Sequence, residues 1–261
     1  MRDVGLQSAI DAAGGIGALA RALGIAQPSV SGWVRVPSER VLAVEGVTGV
    51  SRNQLRPDLF AGQSRDEAVI ELDDVDLGRA RGYRLLANLL SKPPTQTILD
   101  QVARISGDAT PLGMAWLALA DAATRTTEAV VGEEYFKLFV GVGRGDVLPF
   151  ASYYIAGFLN ERPLGAIRAD LLRFGVERRA NIHEPEDSIA TVFDVMAGLI
   201  DGSYSKNPND QDAFFLAHIK PWVPRLFADV AVAPSARFYS AVADVGRHWI
   251  DIETRAFAIA A

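Results

Sequence analysis

The chain has 261 residues, of which 49% are apolar, 22% charged and none cysteine, with a formal net charge of −6. That length is long for one domain and comfortable for two, and the apolar share is enough to bury a core. The absence of cysteine excludes disulfides, a thiol nucleophile, thiolate zinc sites and cysteine-held iron–sulfur clusters. The longest apolar runs fall short of a membrane span. The opening residues MRDVGLQSAIDAAGG lack the basic-then-apolar pattern of a signal peptide, so a cytoplasmic protein without a membrane partner is expected. Apolar residues at three- and four-residue spacing predict helices over 15–23, 79–90, 98–105, 113–122, 133–140, 165–174, 188–200, 212–219 and 236–258. Alternating strand patterns are missing, so the expected fold class is all-α, a small helix-turn-helix domain followed by a larger helical bundle.

Charge divides the chain further. Residues 1–60 carry six arginines against five acids, whereas 61–76 (AGQSRDEAVIELDDVD) hold six acids and one arginine without helical periodicity. The second stretch reads as an acidic linker between a domain at 1–60 and one at 77–261.

In the first domain, IGALARALGIAQPSVSGW (16–33) places Ala20, Gly24 and Val30 at the spacing of a helix-turn-helix. A small residue lets the second helix approach the first, glycine takes the left-handed conformation that ends the first helix, and Val30 packs into the core. Pro28 is tolerated in the first turn of the second helix. Gln27, Ser29 and Ser31 then lie at its groove-facing end, while Trp33 is expected to anchor the core. Arg35, Arg40, Arg52 and Arg56 are candidates for DNA phosphates, with Glu39, Glu45 and Asp58 as competing partners.

The stretch from Ala26 to Phe60 resembles the Cro/YdaS-like family of phage-type DNA-binding regulators. The resemblance rests on Gln27, Val30 and Trp33, then on Pro37, Glu39, Arg40, Leu42, Val44 and Glu45, then on Arg52, Leu55, Arg56, Pro57, Asp58 and Phe60. It implies binding to double-stranded DNA, chiefly through Gln27, Ser29, Ser31, Arg35 and Arg40. A single such helix reads a short half-site, which calls for a homodimer. The competing reading, favoured by the near-neutral charge of 1–60, is a helical protein-interaction domain that has lost DNA binding.

The second domain carries four separated stretches. They are LGRARGYRLLANLLSKPP (77–94), EEYFKLFVGVGRGDVLPFASYY (133–154), HEPEDSIATVFDVMAGL (183–199) and DAFFLAHIKPWVPRLFADV (212–230). Read alone, the acids at Glu184, Glu186 and Asp187 suit a helix N-terminus, with Asp187 or Ser188 as its cap. His183, His218 and His248 lack paired-ligand spacing, so no metal or other cofactor is expected. GVGRGD (141–146) lacks the phosphate-loop pattern, no G-x-S-x-G elbow is present, and the paired acids have no partner for acid–base work. An enzyme is therefore not expected.

Taken together the four stretches resemble the TorD/DmsD family of cytoplasmic chaperones for molybdenum-containing oxidoreductases. The matching residues are Tyr135, Leu138, Phe139 and Gly141; Pro149, Phe150, Ser152 and Tyr154; Glu184, Pro185 and Asp187; and Phe214, His218, Ile219, Pro221 and Trp222. Ser188 stands where the family pattern has histidine, and Phe150 where tyrosine or tryptophan is usual. The resemblance implies an all-helical body that binds the apo form of a molybdoenzyme, such as a formate dehydrogenase, or its twin-arginine signal peptide. The implied contact residues are Tyr83, Pro149, Phe150, Ser152, Tyr153, Glu184, Pro185, Asp187, Ser188, His218 and Trp222. The acids would pair with the arginines of the signal, and Tyr83, Pro149, Phe150 and Tyr153 would line an apolar groove. The alternative is a one-component transcriptional regulator whose helical body senses a small molecule.

Overall fold

The computed structural model describes residues 2–60, 72–176 and 184–260; the acidic stretch 61–71 and His183 lie outside them. Among the described residues every regular element is helical, as the sequence pattern predicts. The chain divides into two compact units, Met1–Val69 and Ile70–Ala261.

The first unit is built from α1 (Val4–Ala12), α2 (Ile16–Ala22), α3 (Gln27–Ser31), α4 (Val41–Thr48), α5 (Arg52–Leu55) and α6 (Pro57–Phe60). Asp3 caps α1 by accepting the Gly5 N–H at 2.8 Å. Helix α2 ends in a Schellman turn: the Gly24 N–H donates to Arg21 O and the Ile25 N–H to Ala20 O, with Gly24 at φ +66°. The turn delivers α3 so that Val30 meets Leu6, Leu19, Val36 and Leu55 in one core, with Trp33 packed against its edge.

The second unit comprises α7 (Asp74–Ser91), α8 (Gln96–Val102), α9 (Pro111–Thr124), α10 (Glu128–Tyr135), α11 (Ala151–Ala156), α12 (Arg162–Arg173), α13 (Ile189–Ile200), α14 (Asn209–Phe214), α15 (Val223–Val232) and α16 (Phe238–Ala260). Asp73 to Asp76, expected in the linker, instead begin α7: Asp73 is its cap and accepts the Asp76 N–H at 2.7 Å. Acids favour that position because of the positive end of the helix dipole. Pro93 and Pro94 follow the end of α7.

Helix α13 is the centre of this unit. Ten of its twelve residues are buried, leaving only Thr191 and Asp194 with substantial exposure, so partners surround it on nearly every side. One partner is α7, which presents Tyr83, Leu86 and Leu90. Helix α16 packs against both α9 and α15. Close approach depends on small residues: a Cβ at Gly82 would sit 2.2 Å from the Trp249 ring of α16.

Helices α10 and α14 each run into a wider π-type turn, Phe136–Val140 and Phe215–Ile219, closed by the Gly141 N–H on Phe136 O and the Lys220 N–H on Phe215 O. Such turns are uncommon and recur at functional sites. Both coincide with stretches singled out in the sequence.

Two substitutions in α7 test this packing. Alanine is the better helix former by about 1 kcal/mol, and Gly78 has open space around it. Gly78→Ala is expected to raise the denaturant midpoint, whereas Gly82→Ala is expected to lower stability by roughly 1–3 kcal/mol through overpacking. Equal shifts in chemical unfolding would show that Trp249 does not hold α7 as described.

Candidate functional site

Three loops and one helix meet at the N-terminus of α13. The stretch before α11 and the stretch before α13 run antiparallel and bridge at Phe150 and Ser188. The Ala151 N–H donates to Asp187 O at 3.0 Å, and the Ile189 N–H donates to Pro149 O at 2.9 Å. The Asp187 carboxylate, 1% exposed, accepts the Ser152 N–H through Oδ2 at 2.8 Å. Ser188 caps α13 by accepting the Thr191 N–H. Each loop thus satisfies donors at the start of the other's helix, which a buried helix end requires.

The remaining stretches join this pair. The Val147 N–H donates to Leu138 O, tying the glycine-rich loop back to the π turn after α10. Gly141 needs its φ of +65°, and a Cβ there would meet Arg144 O at 2.1 Å. Tyr135 is partly buried and its pKa is pushed up to about 12 by burial and then by the Glu184 charge, which couples the end of α10 to the α13 loop. Burial also raises the Glu184 carboxyl, partly opposed by a hydrogen bond with Ser188. On the other side the Tyr154 hydroxyl donates to Asp229 Oδ2 at 2.8 Å, and its ring lies 5.7 Å from that of Trp222. The Trp222 indole donates to His218 O at 2.6 Å, and His218 Nε2 lies 2.7 Å from Asp170 Oδ2.

A cavity of about 210 Å³ opens beside the glycine-rich loop, lined by Arg144, Asp146, Leu148, Tyr153, Tyr154 and Asp229 among others. Arg144 donates to the Tyr153 hydroxyl at 2.5 Å and its guanidinium covers that ring at 5.0 Å. Val142 at the loop tip is 96% exposed, and Phe158 beyond α11 is 72% exposed. Among the described residues no three metal-ligating side chains cluster, and no helix is long and apolar enough to cross a membrane.

The geometry is that of a helix-turn-helix unit followed along the chain by a helical bundle, and each part matches a known family model. Residues 6–64 match the family described as bacterial toxin YdaS, and residues 106–228 match the family described as nitrate reductase delta subunit. The chain is similar to chaperone protein TorD of Vibrio vulnificus, 26% identical over 185 residues that cover 62% of this chain and 86% of the relative. It is also similar to chaperone protein TorD of Aliivibrio fischeri, 26% identical over 119 residues covering 42% and 55%. The chain therefore spans little more than half of that second relative. A YdaS-like helix-turn-helix segment is joined to a TorD-like helical body, and relatives named as chaperones agree with a chain that is not an enzyme.

The structure sorts the expected site residues. Pro149, Phe150, Ser152, Asp187 and Ser188 come together, with Glu184 and Pro185 half-buried beside them. Tyr153 alone of the expected groove residues lines the cavity. Tyr83 does not join them: it is fully buried in the core, edge-on to Phe193 and Trp249, and donates to Glu253. Trp222 is fully buried and His218 6% exposed, so both act as supports. The acids expected to await arginines are engaged internally, Glu186 with Arg168 at 2.8 Å and Asp187 with the α11 N-terminus. Sequence reasoning missed Arg144, whose partner Tyr153 lies nine residues on, and Asp229 and Asp170, whose partners lie 75 and 48 residues away.

In the first unit Gln27, Ser29 and Ser31 are all exposed on α3. Arg35 and Arg56 both bind Asp58, and Arg52 binds Glu45. The hydrogen bonds from the Arg56 guanidinium, with its charge as a smaller contribution, lower the Asp58 pKa to about 2. Among the described residues Arg2, Arg21 and Arg40 make no ion pair; of these only Arg40 was expected as a phosphate contact.

These contacts give Asp187 a structural assignment. Asp187→Asn keeps an acceptor oxygen for the Ser152 N–H and is expected to fold with near wild-type stability. Asp187→Ala leaves that buried N–H unmet and is expected to cost about 1–3 kcal/mol. Chemical unfolding checks both, and an equally stable alanine variant would remove the carboxylate from the loop-bridging role.

Proposed function

We propose that the chain is a cytoplasmic chaperone for a molybdenum-containing oxidoreductase, with a DNA-binding head over 1–60 and a client-binding body that begins with α7. The body holds the apo enzyme or its twin-arginine signal peptide; a formate dehydrogenase is the first client to test. The observation that carries this reading is the convergence of three separated stretches, 133–154, 183–199 and 212–230, on one site, together with similarity to relatives named chaperone protein TorD. Client contact falls to the exposed Val142, Arg144 and Phe158 and the half-buried Tyr153 near the site, while the buried motif residues hold the loops in place.

The head binds double-stranded DNA as a homodimer, reading bases through Gln27, Ser29 and Ser31. Exposure of these three beyond a Schellman turn supports this reading. Arg40, free of ion pairs, is the first phosphate contact, and Arg35 reaches a phosphate only by sharing Asp58. Occupancy of the body by client then changes DNA affinity and reports demand for maturation.

Affinity capture from the native host, with the full chain as bait and mass spectrometry as readout, tests the chaperone reading. A molybdoenzyme catalytic subunit is expected, with recovery reduced by Val142→Asp combined with Tyr153→Ala. Capture of no such enzyme would favour the small-molecule-sensing regulator.

Binding sites selected from random DNA test the head. Gln27→Ala is expected to relax preference at one base position by about 1–3 kcal/mol, and Arg40→Ala to weaken all sequences alike and lower the salt slope by about 1. Selection of no sequence would leave the head as a protein-interaction domain.

A further inference from the structure

Gly17 lies in the first turn of α2, and nothing in the backbone calls for glycine there. It is not among the glycines with positive φ, and a Cβ built on it would touch no backbone atom beyond its own helix. Glycine is less favourable than alanine within a helix. The atoms around that point are side chains from two helices. Gln27 of α3 places Oε1 at 3.4 Å and Cδ at 3.8 Å, and Arg21, one turn further along α2, places Nη1 at 4.0 Å.

Arg21 and Gln27 thus share the space that Gly17 leaves open. Both are exposed, and neither side chain makes a hydrogen bond or ion pair among the described residues. Arg35, Arg52 and Arg56, by contrast, are engaged by acids. Arg21 stands in the last turn of α2, where the helix dipole favours a cation. The dipole does not bring the guanidinium beside a side chain of the next helix; the missing side chain at Gly17 does.

We infer that Arg21 sets specificity in the head: its guanidinium takes a backbone phosphate beside the base that Gln27 reads, and by lying against the Gln27 amide it fixes the orientation in which that amide meets the base. For its partner the inference rests on the DNA-binding reading of the head. A glutamine amide reads adenine by accepting from one edge atom and donating to another, so its orientation decides what it recognises. A guanidinium carries donors alone and therefore faces the amide oxygen, whose second lone pair stays open to the base. The other donors of the planar fork remain for a phosphate. Gly17 keeps the space in which the two groups meet.

The test uses the full chain and the DNA site it selects from random sequence, with affinity read by fluorescence anisotropy over a range of salt. Arg21→Ala is expected to weaken the selected site about tenfold, to lower the salt slope by about 1 and to relax preference at the base position that Gln27→Ala also relaxes. Arg21→Lys keeps the charge without the planar fork, and is expected to keep the salt slope while losing that preference. The loss in the Arg21→Ala, Gln27→Ala double variant should fall short of the product of the single losses by at least about threefold. Gly17→Leu fills the shared space and is expected to weaken binding as Gln27→Ala does, with a denaturant midpoint no lower than that of the unaltered chain. A purely structural role would not separate those two readouts. The inference is overturned if Arg21→Ala leaves affinity and preference unchanged, if Arg21→Lys retains the preference, or if the two single losses simply multiply. Any of these with a site still selected would leave the DNA-binding reading standing; a chain that selects no sequence would sink both.

Discussion

The architecture of the body follows from one helix that has almost no face to give to water. From Ile189 to Ile200 nearly every position of α13 is apolar, so the helix is enclosed. Enclosure brings its N-terminus inside as well, and the N–H groups there need acceptors. Ser188 supplies one and Pro149 O supplies another. The same loop returns the service to α11 through Asp187. Two distant stretches of chain are held together because each completes the other's helix start. Most of the motif is therefore the joinery of the site, and the surface presented to a partner is what the joinery leaves exposed.

Charge in this protein is largely spent within it. Arg79, Asp76 and Glu253 form a closed group, Glu134 receives the N–H groups of Arg237, Phe238 and Tyr239 at the start of α16, and Asp170 is shared between His218 and Arg173. In the head Glu45 and Asp58 take up three of six arginines. A net charge of −6 says little about where a partner's charges go. What decides it is which groups remain outside ion pairs; among the described residues these include Asp74, Asp212, Arg81, Arg104 and Arg162 in the body, and Arg2, Arg21 and Arg40 in the head.

Local chemistry was legible in the sequence and distant chemistry was not. Ala20, Gly24 and Val30 announced the helix-turn-helix because a Schellman turn and the packing of its flanking helices are settled within a dozen residues. The nine periodic stretches in the chain each fall on a helix. Helices α1, α4, α5, α6, α11 and α15 fall outside those stretches: most are too short to show a period, and Pro221 and Pro224 interrupt the approach to α15. The π turns left no mark in the apolar pattern, since a single wider turn shifts it by one residue. Tyr83 illustrates a deeper limit. Its aromatic ring suits a groove as well as a core, and only the arrival of Glu253, 170 residues away, decides between them.

The same logic explains how the chain tolerates its departures from the TorD/DmsD pattern. A histidine after Asp187 is replaced by Ser188, and serine is among the best residues for the capping role that this position performs. Phe150 contributes to the bridge through its backbone, so the loss of a polar ring group leaves the loop pairing intact. Neither change disturbs the scaffold, and neither side chain carries the charge a client would read. On the proposed chaperone reading, discrimination among clients falls to exposed residues outside the motif, such as those on the tip of the glycine-rich loop. Their side chains face outward and are free to vary without cost to α13. A scaffold built this way keeps a constant frame and leaves its outward surface free to change.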